Sequence, residues 1–437
     1  MKIVQTIVKK LFRDYIAEEY ENNFLIQGRE ITELKRKSKL QSGEKITVVF
    51  VCHRAQIWSA LKTVFEACNE DEQFETIIVT IPNKKQIPKL GLNHEEYVSE
   101  GAEEFYKDYP CRVIQGYDYK NKTWFDLETL NPDYVFFQTP YDICRPPQYR
   151  SNRVALYAKI CYVHYGMPFM GDFIAEESFP VSFLKHTYFH FAEFKEMKDY
   201  YVNRVDENPI HRHERVILTG YPKLDGIKNY IGIESKSWHY KDEQKRYRIM
   251  WTPRWSMGEG NCTFFEYKDK LLDYVEEKKN IEFLFRPHPQ AFSEFIEKKL
   301  MTKEEVDKYC ERYASSNTAF IDEEREYLPS FYSSDVLITD ESSIIPEYFL
   351  TEKPIIFTYN VTHLNEFAKK IAEGFYWVKD WQELQETLEM LMRGEDPLLE
   401  KRKQLIGESY FMPEKGSGYE IKEAIKRDFY SQNIFEK

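Results

Sequence analysis

The sequence predicts an α/β protein of two doubly wound, Rossmann-like domains. Apolar runs of strand length alternate with stretches of helical periodicity along the whole chain. Continuous runs, rather than apolar–polar alternation, mark strands buried on both faces, as in parallel sheets covered by helices. Several of these runs end abruptly in charged or hydroxyl residues. The length, 437 residues, exceeds what one hydrophobic core usually organises.

The elements follow in order. The N-terminus carries Ile3, Val4, Ile7, Val8, Leu11, Phe12, Tyr15 and Ile16 at helical spacing, with Lys2, Lys9, Lys10 and Arg13 around them. Such a helix either rests on an anionic membrane surface or packs on its own domain, and the acidic residues that follow favour packing. Residues 46–52 form the first apolar run, ending at His53-Arg54. A helix is expected over 57–68 and a strand near 74–81. Further buried strands are expected at 134–137, 160–163, 216–218, 249–251, 281–285, 336–338 and 354–357. The polar stretch 223–246, with Gly226 and Gly232, suits a domain connection. The expected organisation is an N-terminal domain over 1–222 and a C-terminal domain over 223–410. A last segment, 411–437, should return its helix (about 419–430) to the N-terminal domain after the Gly416-Ser417-Gly418 break.

Composition narrows the function. Apolar residues make up 42% and aromatics 16%, enough for two ring-rich cores. A net charge of −12 argues against a nucleic-acid binder. The seven cysteines, at 52, 68, 111, 144, 161, 262 and 310, have neither zinc-site nor disulfide spacing and fit a reducing cytoplasm. No apolar run approaches the roughly 18–20 residues of a membrane span, and the start lacks a signal-peptide core.

Chemistry is expected where strands end. Val336-Leu337-Ile338-Thr339-Asp340-Glu341-Ser342-Ser343 reads as a strand breaking into a hydroxyl-bearing turn before a helix. That junction aims backbone N–H groups at an anion, most commonly phosphate. Arg286 and His288 follow the run 281–285, and Thr252-Pro253-Arg254 follow 249–251. Together these ends point to a diphosphate-bearing donor at the carboxyl edge of a parallel sheet. His164 follows 160–163 in the first domain, where a cleft between domains is expected to hold ligand. Each has a plainer reading. His164 suits a core imidazole bonded to a carbonyl, His288 a turn former, and Ser342, Ser343 and Asp340 ordinary helix caps. His186 and His190 read as structural, and His211 with His213 as a solvated loop.

The same residues resemble the CDP-glycerol glycerophosphotransferases of teichoic-acid and capsule synthesis, over about 155–380. His164 to Pro168 is similar to that family's strand, His and Gly-x-Pro turn, and Gly220-Tyr221-Pro222-Lys223-Leu224-Asp225 to its Gly-x-Pro-Arg-x-Asp. Trp251 to Trp255 resembles its Ala-Pro-Thr-Trp-Arg strand end, and Arg286 to Pro289 its Arg-x-His-Pro. Ser334 to Ser343 resembles its Ser-Asp-x-Leu-Ile-Thr-Asp-Tyr-Ser-Ser block, with Glu341 where an aromatic is usual.

The resemblance implies a GT-B architecture, two Rossmann-like domains facing across a cleft. It implies transfer of a polyol phosphate, with glycerol favoured over ribitol, from CDP-glycerol or CDP-ribitol to a glycan or lipid-linked hydroxyl, releasing CMP. It implies His164 and His288 as catalytic groups, with His164 the general base. Arg286, Ser342, Ser343, Thr339 and Asp340 would hold the donor phosphates, and Thr252, Pro253 and Arg254 the nucleotide. His53 and Arg54 would lie on the acceptor side. No Asp-x-Asp motif is present, so no metal or other cofactor is expected. The implied setting is the bacterial cytoplasm at the inner face of the membrane. Two other readings stand beside it: a GT-B glycosyltransferase or nucleotide-sugar 2-epimerase, and a non-catalytic scaffold with a degenerate site.

Overall fold

The computed structural model describes residues 2–86, 95–167, 180–206, 215–240, 246–255, 262–324, 326–358 and 364–431, with backbone alone at 2–18, 85–86, 95 and 204–206. The chain divides into two compact units. The first takes the described residues through Gly166, those from 180 to Asp225, and those from Phe411 onward; the second takes Gly226–Tyr410 and Met167. The break falls between Asp225 and Gly226, three residues beyond the expected boundary.

In the first unit, β1 (Ile46–Cys52), β2 (Phe74–Thr80), β3 (Arg112–Gln115), β4 (Tyr134–Phe137), β5 (Lys159–Val163), β6 (Thr187–Ala192) and β7 (Val216–Leu218) form one sheet. Their order is β7-β6-β5-β4-β1-β2-β3, and all neighbours are parallel. Every residue of β1, β4 and β5 is buried, Thr47 and Lys159 included, and the strands are otherwise apolar, as expected of strands covered on both faces. The expected helix at 57–68 is divided into a 3₁₀ turn (Trp58–Ala60) and α2 (Lys62–Asn69). Before β1 lies α1 (Lys2–Ser42), a 41-residue helix. Its Ile3–Ile16 pattern lies outside the described side chains. Further along, Lys39 is buried and paired with Asp133 at 2.7 Å.

The second unit holds β8 (Tyr247–Thr252), β9 (Ile281–Phe285), β10 (Ala319–Ile321), β11 (Val336–Thr339), β12 (Ile355–Phe357) and β13 (Tyr376–Trp377) in the order β10-β9-β8-β11-β12-β13. These neighbours too are all parallel. Its core is a stack of rings. Trp251 lies 5.5 Å from Phe264 with planes 4° apart and 4.9 Å from Phe285, which presses α3 (Phe264–Glu276) onto β8 and β9. The short α4 (Ile345–Phe349) follows β11.

Each sheet reverses its winding once, between β1 and β4 in the first unit and between β8 and β11 in the second. Parallel strands put all carboxyl ends on one edge, and the reversal opens a crevice there where ligands of doubly wound folds bind. The architecture is the two-Rossmann α/β fold of the GT-B class. Among the described residues no helix is long and apolar enough to cross a membrane.

The closing helix α5 (Ser417–Tyr430) belongs to the first unit. Gly418 packs so closely on Thr63 that a Cβ would sit 2.4 Å from its carbonyl oxygen. Asp225 accepts from the N–H groups of Ser417 and Gly418 at 2.7 and 2.8 Å. At its far end Asp428 accepts from Lys159 at 2.6 Å, Tyr134 at 2.5 Å and Tyr188 at 2.8 Å, all buried. Removing this carboxylate leaves an uncompensated ammonium in the interior. Asp428→Ala is therefore expected to cost about 3–5 kcal/mol in chemical denaturation, whereas a loss below 1 kcal/mol would show that the helix is held by its apolar face alone.

Candidate active site

In the second unit, four strand ends converge on the edge where winding reverses. Asp340 comes directly after β11 and is fully buried. Its carboxylate accepts from the backbone N–H of Arg254, from the N–H of Thr263 at 2.7 Å and from the Thr263 hydroxyl at 3.0 Å. Burial, partly offset by these donors, raises its pKa to about 6. Thr339 is equally buried and donates to the Thr252 carbonyl at 2.7 Å, with Thr252 Oγ1 3.1 Å away. Thr358 and Thr263 share a 2.7 Å hydroxyl contact beside them. The structure thus places Thr339, Asp340 and Thr252 beneath the site, where they fix the loops. This differs from the ligand roles the resemblance implies, because their polar side-chain atoms are spent on one another, on Thr263 and on backbone groups.

Above that layer stand the outward groups. Pro253 is buried in the turn and Arg254 is half-buried. The Arg254 guanidinium donates through Nη1 to the Glu341 carbonyl at 3.2 Å, which holds it over the serine turn. Ser342 is half-buried and Ser343 exposed, and neither hydroxyl has a hydrogen-bond partner among the described residues. The expected serine caps are not formed. Helix α4 begins only at Ile345, with Ile344 at its N-cap and no side-chain cap bond, because the chain first makes a turn from Ser342 O to Ile345 N.

Arg286 donates through Nη1 to Asp322 at 2.7 Å and to the Glu324 carbonyl at 2.9 Å. His288 stacks on Trp255 at 5.1 Å and accepts at Nδ1 from Gln290 N at 3.2 Å. Although the ring is largely exposed by area, desolvation against its neighbours and then the Arg254 charge lower its pKa, so it is neutral at pH 7. This edge can hold a polyanion with two guanidiniums and two hydroxyls. Tyr359 and Asn360, after β12, lie outside the described residues.

The first unit has its own edge. His53 and Arg54 follow β1, Gln138 follows β4 and His164 follows β5. Gln138 Oε1 accepts from the N–H of His53 at 2.7 Å and of Arg54 at 3.0 Å, closing the crevice as Asp340 does in the second unit. His53 is buried, and desolvation, then Arg54 and Arg145, lower its pKa to about 3. The Arg54 side chain pairs with Glu100. His164 is 5% exposed, stacks on Tyr165 at 5.0 Å, and has its pKa lowered to about 4 by desolvation. Its Nδ1 lies against both the carbonyl and the N–H of Gly166, the latter at 3.2 Å, and this turn orients the ring. Pro168, His211 and His213 lie outside the described residues. His186 is buried between Ser151 and Glu21, and His190 is buried within β6, both as structural groups.

Sequence reasoning missed Gln138, Asp322 and Tyr327. Each is a lone polar residue beyond a strand or loop, with no motif around it, and only the fold shows what it touches. Among the described residues no cluster of three or more His, Cys, Asp or Glu side chains could hold a metal ion.

Comparison with known proteins agrees with the motifs. Residues 198–378 match the model of the CDP-Glycerol:Poly(glycerophosphate) glycerophosphotransferase family, so the resemblance is borne out over that stretch. The chain is 30% identical over 156 residues to the teichoic acid ribitol-phosphate polymerase TarK of Staphylococcus aureus, covering 33% of this chain and 27% of that protein. It is 26% identical over 174 residues to the minor teichoic acid biosynthesis protein GgaB of Bacillus subtilis, covering 37% of this chain and 17% of that one. The chain therefore matches about a quarter or less of these relatives' length. Among solved structures, a putative UDP-N-acetylglucosamine 2-epimerase from Listeria monocytogenes aligns with a TM-score of 0.57 at 14% identity, over 89% of this chain and 98% of the other. The UDP-GlcNAc 2-epimerase from Neisseria meningitidis aligns with a TM-score of 0.53 at 12% identity, over 89% of this chain and all of the other. At such identities the likeness is one of fold.

The Asp340 latch is testable. Asp340→Asn turns an NH2 toward the Thr263 N–H, and a loss of about 1–3 kcal/mol is expected by denaturant titration. The native carboxyl titrates near 6, above its ordinary 3.8. Its contribution is therefore full below that lower value and is lost as pH rises through 6. The gap in stability between native and variant proteins should narrow from pH 4 to 7; a gap that widens contradicts this.

Proposed function

We propose that the protein transfers a polyol phosphate from a CDP-linked alditol to an acceptor hydroxyl, releasing CMP. The observation that carries this reading is the convergence of Arg254, Arg286, Ser342 and Ser343 on one sheet edge, inside the stretch that matches the glycerophosphotransferase family. The relatives' names, a family acting on CDP-glycerol and a ribitol-phosphate polymerase, support a polyol donor.

The chemistry follows from the groups present. The acceptor oxygen attacks the distal phosphorus, a new oxygen–phosphorus bond forms, and the bond to the bridging oxygen breaks so that CMP departs. The acceptor proton passes to the imidazole of His164, which is neutral at pH 7 and oriented by the Gly166 turn. Charge growing on the phosphoryl and departing oxygens is met by the Arg286 guanidinium and the serine hydroxyls, preorganised before reaction. His288 accepts at Nδ1, so its Nε2 carries the proton and can donate to the departing phosphate. Arg254, pinned over the serine turn, is assigned to the nucleotide phosphate. His53 and Arg54 are assigned to the acceptor side, which we take to be a glycan or lipid-linked hydroxyl at the inner face of a bacterial membrane.

Incubation with CDP-glycerol, CDP-ribitol and several UDP- and GDP-sugars tests the reading. CMP should appear with a CDP-alditol and a hydroxyl acceptor, and the more reactive alditol identifies the polyol. Release of UMP, UDP or an epimerised sugar would instead favour a sugar-nucleotide enzyme. His164→Ala should lower turnover by about 10²–10⁴-fold while donor affinity persists. Because the His164 pKa lies near 4, kcat/KM should stay flat from pH 8 to 6 and fall only on further acidification. An acid limb centred on 6.5 would exclude the buried imidazole as the base.

A further inference from the structure

The two arms of the phosphate site are not neighbours. Arg286 follows β9 and the serine turn follows β11, with β8 between them in the sheet, a separation of about 10 Å. A long guanidinium side chain samples many rotamers, so a precise grip needs something to hold it in place.

The loop after β10 supplies that hold. Asp322, whose side chain is fully buried, accepts Arg286 Nη1 at 2.7 Å on Oδ2. Its remaining capacity is taken by Ser237 Oγ at 2.6 Å, Ser330 Oγ at 3.2 Å and Glu324 N at 3.2 Å, so the carboxylate itself is immobile. The same guanidinium lies 5.3 Å over the ring of Tyr327. Tyr327 in turn donates its hydroxyl to Glu347, a buried carboxylate on α4, the helix that opens behind Ser342 and Ser343. The contacts run unbroken from Asp322 through Arg286 and Tyr327 to the helix behind the serine turn. Only one edge of Arg286 is used. Nη2 and Nε make no hydrogen bond to a described residue, and two parallel N–H groups match two phosphate oxygens.

We infer that Asp322 and Tyr327 are positioning residues that lock Arg286 at a fixed distance and angle from the serine turn, so that both arms meet one nucleoside diphosphate. The inference rests on Arg286 being a phosphate ligand, as proposed above. It does not require that phosphoryl transfer be the reaction.

The test is calorimetric titration of CDP into the 437-residue chain and its Arg286→Ala, Asp322→Asn and Tyr327→Phe variants, the last two also combined with Arg286→Ala. Melting temperature is recorded for each. Tyr327→Phe keeps the ring beneath the guanidinium and removes only the hydroxyl, so it decides the matter even if Asp322→Asn folds poorly. Arg286→Ala should weaken CDP binding about 30-fold or more, and Asp322→Asn and Tyr327→Phe each about five- to tenfold. Added to Arg286→Ala, either should change affinity by less than about twofold, because each acts through the missing guanidinium.

Equal weakening with and without Arg286 would overturn the inference, since a merely structural role is additive. So would unchanged CDP affinity in both Asp322→Asn and Tyr327→Phe. A native protein that binds no CDP removes the inference and the Arg286 assignment together. One that binds CDP with the predicted coupling, yet releases no CMP from any CDP-alditol, sustains the inference and refutes the transfer reading.

Discussion

Backbone N–H groups at the crevice of a doubly wound sheet must be paired, and in both units one side chain does it from the same topological position. Gln138 follows the fourth strand of the first sheet and accepts from the loop after the first strand; Asp340 does the same in the second. An unpaired buried N–H costs about 1–3 kcal/mol, so these contacts set where each loop runs. Everything the proposed site uses depends on that setting. With Asp340 holding Arg254 N and Thr263 N, the Arg254 guanidinium falls over the serine turn and the two serine hydroxyls are left facing outward.

Burial decides the electrostatics as well. His53 and His164 are driven neutral by desolvation, and His288 by desolvation together with Arg254. Among the described residues, the permanent cations of the second edge are therefore Arg254 and Arg286, each tied by part of its guanidinium to protein oxygen atoms. A pinned cation helps most where charge develops during reaction, because it need not reorganise. Neutral imidazoles suit the complementary task of moving a proton at pH 7.

Much of the fold was legible because buried parallel strands are simple in sequence. Strands β1, β4 and β9 are buried from end to end and apolar but for Thr47 and Glu282, and His53, Arg54, Arg286 and His288, just after β1 and β9, were legible from the motifs. Strand β6 was not recognised, since Thr187, Tyr188 and His190 interrupt its apolar character while being buried all the same. Strand β10, three residues long, gives no periodic signal, and so its trailing Asp322 went unnoticed. Asp340 and Thr339 were visible as residues but not as directions. A polar side chain after a strand can point to ligand or to backbone, and only the packing of α3 against β8 makes the inward choice the better satisfied one.

If the carboxyl edge of the second sheet is a preformed nucleoside-diphosphate site, CDP must shield the loops that form it. Hydrogen–deuterium exchange of the whole protein with and without CDP tests it most directly. Protection concentrated in the backbone amides of Arg286, His288 and Gln290 and of 341–345 is the predicted result. Protection confined to the groove beside β10, near His239 and Phe320, or to no part of the second unit, would contradict it.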